Sequence, residues 1–349
     1  MLRKIVVPII MALLASTIML VSHEGGHALV GNMLGVATDK VQFFWLNIER
    51  DASGQWNPPT WESWMLGANT FGSVTYNEND YNSTTEREQG WIDLMGSGTT
   101  TLLSLIALAS LYFRKDAPRF SWFTFFLVLV GIVDMFTYAV IPMIGKYVTL
   151  VNPEQVFNVS CEDAPSYPKI PQPQPPFEPR IQTDAIYCDK QYKEVTISLR
   201  AQFDAQTEIK SLTYLFFEVE TPQSTHWYVR KYSTSSTGNR APYGYLHYLP
   251  GPIDLGKYRV KQAFLVLNGL PRLIFLPTHL EGGIFAIPEP LYGATKLNIN
   301  PFLFMGIVTG LSLLQGWLLV RYVIRYRLRQ LPADFITKGT SEIQKTMSH

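Results

Sequence analysis

Hydrophobic positions cluster along this chain instead of spreading evenly. Dense apolar runs cover residues 5–37, 92–113, 120–144 and 301–320. Each is close to the ~20 residues a helix needs to cross a bilayer, so the pattern predicts four transmembrane helices. The first is expected from about Ile5 to Leu34, ending near Gly35, long enough to tilt or protrude. The second begins near Trp91 and holds "MGSGTTT", whose small residues permit close helix contact. The third follows Arg119 and carries a single charge, Asp134. The N-terminal run also has the outline of a signal peptide. Its apolar character continues through "HALVGNMLGV", and "ASTIMLVS" is a poor cleavage site, so it reads as an anchor.

Between the helices the pattern changes. "DKVQFFWLNIERD" has the aromatic and branched content of a strand, and "NTFGSVTYNENDYNSTTEREQG" reads as polar and exposed. "YPKIPQPQPPFEPR" is proline-rich and predicts an extended, semi-rigid connection. After it the period becomes two. In "EVTISLRAQFD", Val195, Ile197, Leu199, Ala201 and Phe203 share one face of a strand. "SLTYLFFEVE", "HWYVRKY" and "GKYRVKQAFLVLNG" predict further strands of a small antiparallel β-sandwich. The fold class is therefore a polytopic α-helical membrane protein with an extramembrane antiparallel β-sandwich-like domain. Residues 1–147 form the membrane-embedded core with an outer loop at 38–90. Residues 148–182 are a Pro-rich linker, 183–290 the β domain, 291–330 the fourth helix with its basic end, and 331–349 a tail.

Composition agrees with a membrane protein: 16% of the 349 residues are charged and 47% hydrophobic. A net charge of +1 provides no reason to expect nucleic acid. Arg3 and Lys4, then Arg114, Lys115 and Arg119, then Arg321, Arg325, Arg327 and Arg329 fall on one side of a four-span chain. That side is expected to be the cytoplasm, with both termini. The β domain is then extracytoplasmic, as are the sequons at Asn82 and Asn158. Two cysteines, Cys161 and Cys188, have no zinc-finger spacing, and a disulfide between them suits an oxidising compartment. His226, His247 and His279 are scattered and read as surface or packing histidines.

The chemistry concentrates in "LVSHEGGHALVG", Leu20–Gly31. Ionisable groups at membrane depth are costly and read as functional. On a helix, His23 and His27 lie one turn apart on one face and can hold one zinc ion. Glu24 falls at a neighbouring angle, where it can take a proton from a metal-activated water. A hydrolytic site needs a third protein ligand and an open position. Asp134, an isolated carboxylate on another helix, is the candidate. The bland alternative is a polar membrane boundary with Gly25 and Gly26 serving only helix packing.

Over residues 5–145 the sequence resembles the site-2 protease group, the M50-type intramembrane zinc metallopeptidases. "HEGGHALVGNMLGV" looks like that family's first core helix, and "VQFFWLNI" like the strand that follows it. "MGSGTTTLL" stands where the family has a Gly-Pro-x-x-Asn helix start, and "IVDMFTY" where it has an Asp-Gly ligand motif. The resemblance implies Zn2+ held by His23, His27 and Asp134, Glu24 as general base, and a membrane protein substrate cut within or beside the lipid bilayer. The family's Asn is absent; Thr100 falls nearest its position. Met135 replaces the Gly after Asp134. Two other functions fit the same residues: a catalytically silent scaffold that binds a protein partner at the β domain, and a zinc-dependent lipid amide or ester hydrolase.

Overall fold

The computed structural model describes residues 2–43, 46–50, 55, 57, 72–113, 120–160, 179–189, 194–202, 213–232, 244–249, 255–267 and 289–330. Helix α1 spans Leu2–Met33 and is followed by strands β1 (Thr38–Phe43), β2 (Leu46–Glu49) and β3 (Gly72–Tyr76). Helices α2 (Glu78–Ser83), α3 (Glu86–Phe113) and α4 (Trp122–Ala139) come next. Eight strands then follow: β4 (Lys146–Thr149), β5 (Val156–Val159), β6 (Arg180–Asp189), β7 (Glu194–Gln202), β8 (Thr213–Glu220), β9 (Thr225–Tyr232), β10 (Gly244–Leu249) and β11 (Gly256–Leu267). The described part closes with α5 (Glu289–Lys296) and α6 (Pro301–Gln330). Among the described residues, four stretches are helical, long and apolar enough to cross a membrane: Ile5–Met33, Glu86–Phe113, Trp122–Met143 and Pro301–Tyr326.

Local chemistry sets the helix ends. Gly35 has φ 85°, in the left-handed region that glycine tolerates. Val36 N donates to Gly31 O at 2.9 Å and Gly35 N to Asn32 O at 3.1 Å, a Schellman stop for α1. Helix α3 starts in a capping box. Thr85 N donates to Glu88 Oε2 at 2.8 Å, and Glu88 N donates back to Thr85 Oγ1 at 3.3 Å. This start lies several residues before Trp91, because the Thr-x-x-Glu signal outweighs the later onset of apolar residues. Asn300 Oδ1 caps α6 by accepting from Phe302 N at 2.8 Å, with Pro301 at the first helical position.

The chain forms two compact units. The first contains residues 1–77, 95–137 and 306–349. Within it Ala15 and Met19 of α1, Ala107, Leu108 and Leu111 of α3, Leu127 and Val128 of α4 and Leu319 of α6 make one apolar cluster. A Cβ on Gly131 would stand 2.5 Å from Ser104 Cβ, so α4 and α3 cross at close range there. Ser104 Oγ lies 3.2 Å from Val128 O and 3.1 Å from Gln315 Oε1, a polar tie among apolar helices. The unit also holds an antiparallel sheet in the order β2-β1-β3. The single strand expected over "VQFFWLNI" is a hairpin, with Phe43 paired to Leu46. The apolar run Phe43–Leu46, with no turn residue in it, hid the reversal. The stretch expected to be merely polar and exposed contains β3, α2 and the start of α3.

The second unit contains residues 78–94 and 138–305. Strands β10-β7-β6 form one sheet; β4-β11-β8-β9 form another, with β5 also on β11. All named pairings are antiparallel. Ile181, Ile186, Cys188, Val195, Ile197 and Leu199 from the first sheet share one core with Leu215, Phe217, Val219, Val260 and Leu265 from the second. Val195, Ile197, Leu199 and Ala201 are buried on one face of β7 as the alternation predicts, and Phe203 lies outside the described residues. Thr196, Ser198 and Arg200 on the other face are buried as well. Arg200 Nε donates to Asp184 Oδ2 at 2.8 Å, which supplies the partner a buried guanidinium requires. Strands β4 and β5, in or beside the stretch read as linker, pair with β11.

Helix α5 was not legible in the sequence. Lys296 Nζ on it donates to Asp93 Oδ2 at 2.7 Å and to Tyr81 Oη at 3.3 Å. Burial pulls the Lys296 pKa down, but the Asp93 carboxylate and Tyr81 outweigh it and hold the ammonium above its ordinary value. Burial, then the Asp93 charge, raises the Tyr81 phenol. Asn298, at φ 60°, ends α5, accepts from Trp227 N at 3.1 Å and so ties the helix to β9. Arg114, Lys115, Arg119, Cys161, His279, most of the proline-rich stretch and the tail from 331 lie outside the described residues. Cys188 is buried in β6. His226 lies on β9 and His247 on β10.

Candidate metal centre

Helix α1 carries His23, Glu24 and His27 on its last third, and all three are buried. Three side chains that ordinarily seek water are thus withdrawn together at the end of an apolar helix. The spacing of four residues stacks the imidazoles on one face. Their ring centroids are 5.1 Å apart with planes at 70°, and a donor nitrogen of each lies within 4.8 Å of the other.

Gly96 on α3 shows where those nitrogens point. A Cβ at Gly96 would fall on His27 Nε2 and stand 2.7 Å from His23 Nε2. Both Nε2 atoms therefore lie close against the Gly96 backbone, an approach possible because position 96 has no side chain. Gly26 brings the two helices this close. Its own missing Cβ would meet Met95 O and Thr99 Oγ1. Two imidazole nitrogens within 4.8 Å of one another beside a glycine are close enough to share one zinc ion.

Glu24 is packed differently. A Cβ at Gly72 would fall on Glu24 Oε1 and 2.8 Å from its carboxyl carbon. The carboxylate thus lies against the backbone at the start of β3. A glycine at that point allows the strand and the acid to meet, as glycine does wherever a backbone is approached closely.

Asp134 on α4 reaches the same group of residues, but at the other nitrogen of His23. Its Oδ1 and Oδ2 each lie 3.3 Å from His23 Nδ1. Thr100 on α3 is buried and donates to Asp134 Oδ2 at 2.5 Å; its oxygen is also 2.9 Å from Ser97 O. The structure thus sets His27, Asp134 and Thr100 around His23, while the Glu24 carboxylate packs against Gly72. It also adds Gly96 and Gly72, which sequence reasoning missed. Their signal is small-residue placement on a neighbouring helix and strand, which acquires meaning only once the partners are known. No family model, curated protein or solved structure matches this chain.

Proposed function

We propose that the chain is a membrane-embedded zinc metalloendopeptidase, similar in kind to the site-2 protease group, that hydrolyses peptide bonds of membrane or membrane-adjacent proteins. The observation that carries this reading is the close approach of His23 Nε2 and His27 Nε2 to one another beside Gly96, with Glu24 on the same helical turn. His23 and His27 would hold the ion. Zinc so bound supplies a Lewis acid that brings the pKa of a water toward about 7.

The protein's own groups supply the rest. Glu24 is positioned to take a proton from the attacking water and to deliver it to the leaving amine, so that the bond cleaved gains one hydrogen and one hydroxyl in total. Burial of Glu24 keeps bulk water from competing for that proton. The four apolar helices support a location in the bilayer. The distribution of Lys and Arg supports cytoplasmic termini and an outward β unit. An outward β unit would favour a Cys161–Cys188 disulfide, these being the chain's two cysteines. The β unit is also the natural place for a protein partner.

Purified full-length protein in liposomes should cleave single-span membrane peptides, lose that activity to a zinc chelator and regain it when zinc is returned. Lipid amides and esters should stay intact. Hydrolysis of the lipids with intact peptides would select the lipid hydrolase. No turnover of either class, with metal bound, would select the scaffold.

A further inference from the structure

We propose that an exposed stripe at the C-terminal end of α6 binds an anionic phospholipid, with Arg321 and Arg325 taking the headgroup phosphate. This inference rests on the bilayer location read from the four apolar helices and is independent of the metal reading of His23 and His27. Positions three and four apart share a face of a helix, so Leu314, Trp317, Arg321 and Arg325 form one line along α6. All four are exposed, Leu314 at 51% and Trp317 at 55%. The line changes character along its length: apolar at Leu314, amphipathic at Trp317, cationic at Arg321 and Arg325. A phospholipid in one leaflet presents its acyl chain, interface and phosphate in that same order.

The two cations are available to a ligand. The sequence has no Asp or Glu from residue 301 to residue 333, and among the described residues neither arginine has an acidic partner. Arg321 lies over the Trp317 ring instead, 5.2 Å from its centroid, an arrangement that leaves its N–H groups free for an anion. The helix end that carries them is held in place. Phe120 N donates to Tyr326 Oη at 2.7 Å, and the Phe120 ring packs against Tyr322 and Tyr326 at 5.8 and 5.3 Å. Two guanidinium groups one turn apart on a held helix can close on one phosphate, and the planar fork of arginine suits that geometry. A choline headgroup carries its own cation beside the phosphate, so the stripe selects for net negative charge.

The test uses full-length protein in phosphatidylcholine liposomes. Association of spin-labelled phosphatidylglycerol is compared with that of spin-labelled phosphatidylcholine by electron spin resonance. The parent should prefer phosphatidylglycerol. Arg321→Gln and Arg325→Gln should each lower that preference, by up to about fivefold for one basic residue at an anionic surface, and the double variant should abolish it. Lys257→Gln with Lys261→Gln removes the same charge from exposed positions on β11 and should leave the preference unchanged. A parent with equal affinity for the two lipids overturns the proposal, as does a double α6 variant that keeps the parent's preference. Equal losses in the α6 and β11 pairs also overturn it, because net charge and not this stripe would then set the preference. Zinc content should match the parent's in every variant, so the metal reading stands or falls separately.

Discussion

Gly96→Ala is expected to abolish metal binding while leaving the fold of the first unit intact. The added methyl would overlap His27 Nε2 and stand 2.7 Å from His23 Nε2. A helix gains from the exchange, since alanine is favoured over glycine by about 1 kcal/mol in a helix interior. Any loss is therefore steric and local. Zinc affinity should fall by more than ~100-fold, beyond what loss of an outer-shell partner causes. Gly25→Ala is the matched control: nothing lies within 4 Å of a Cβ there, and metal binding should be unchanged. Equilibrium zinc binding on the two variants, with circular dichroism to establish helicity, checks the prediction. Parental affinity in Gly96→Ala would mean that the imidazoles do not meet beside Gly96 when metal is present.

Glu24→Gln should separate chemistry from binding. The substitution keeps size and hydrogen-bonding capacity and removes the basic carboxylate. The variant should insert, fold and bind zinc as the parent does. Turnover of a membrane peptide should nonetheless fall by the ~10²–10⁴-fold attributed to a positioned general base, equivalent to ~3–5 kcal/mol of transition-state stabilisation. Single-turnover cleavage assays at saturating zinc provide the readout. Parental turnover would remove Glu24 from the mechanism and favour a different proton acceptor.

Much of this architecture was legible because the bilayer imposes a blunt rule. Long apolar runs with few charges mark candidate spans, and four of the described helices are long and apolar enough to cross a membrane. The histidine pair was legible for a similar reason: a four-residue spacing on a helix fixes a shared face whatever surrounds it. Asp134 was legible only as an anomaly, a lone charge in "VGIVDMFTY". Which nitrogen of His23 it meets depends on how α4 crosses α1, and no local pattern encodes that. Gly96 and Gly72 stayed silent for the same cause, since a glycine's purpose is written in the residue that approaches it. The β1–β2 hairpin was missed because Phe, Phe, Trp and Leu surround the reversal where Gly, Asn or Asp would normally announce it. Helix α5 was missed because Pro290 and Gly293 argue against a helix; Pro290 is tolerated in the first turn, and Gly293 packs where a Cβ would meet Gly90 O and Leu94 N.

The central claim is that His23 and His27 bind a metal ion together. It is tested most directly by zinc content per chain, measured on purified parent, His23→Ala and His27→Ala side by side under one dialysis. The account predicts about one zinc per chain in the parent, as for a catalytic site, and none in either variant. Full retention of zinc in both variants would contradict it.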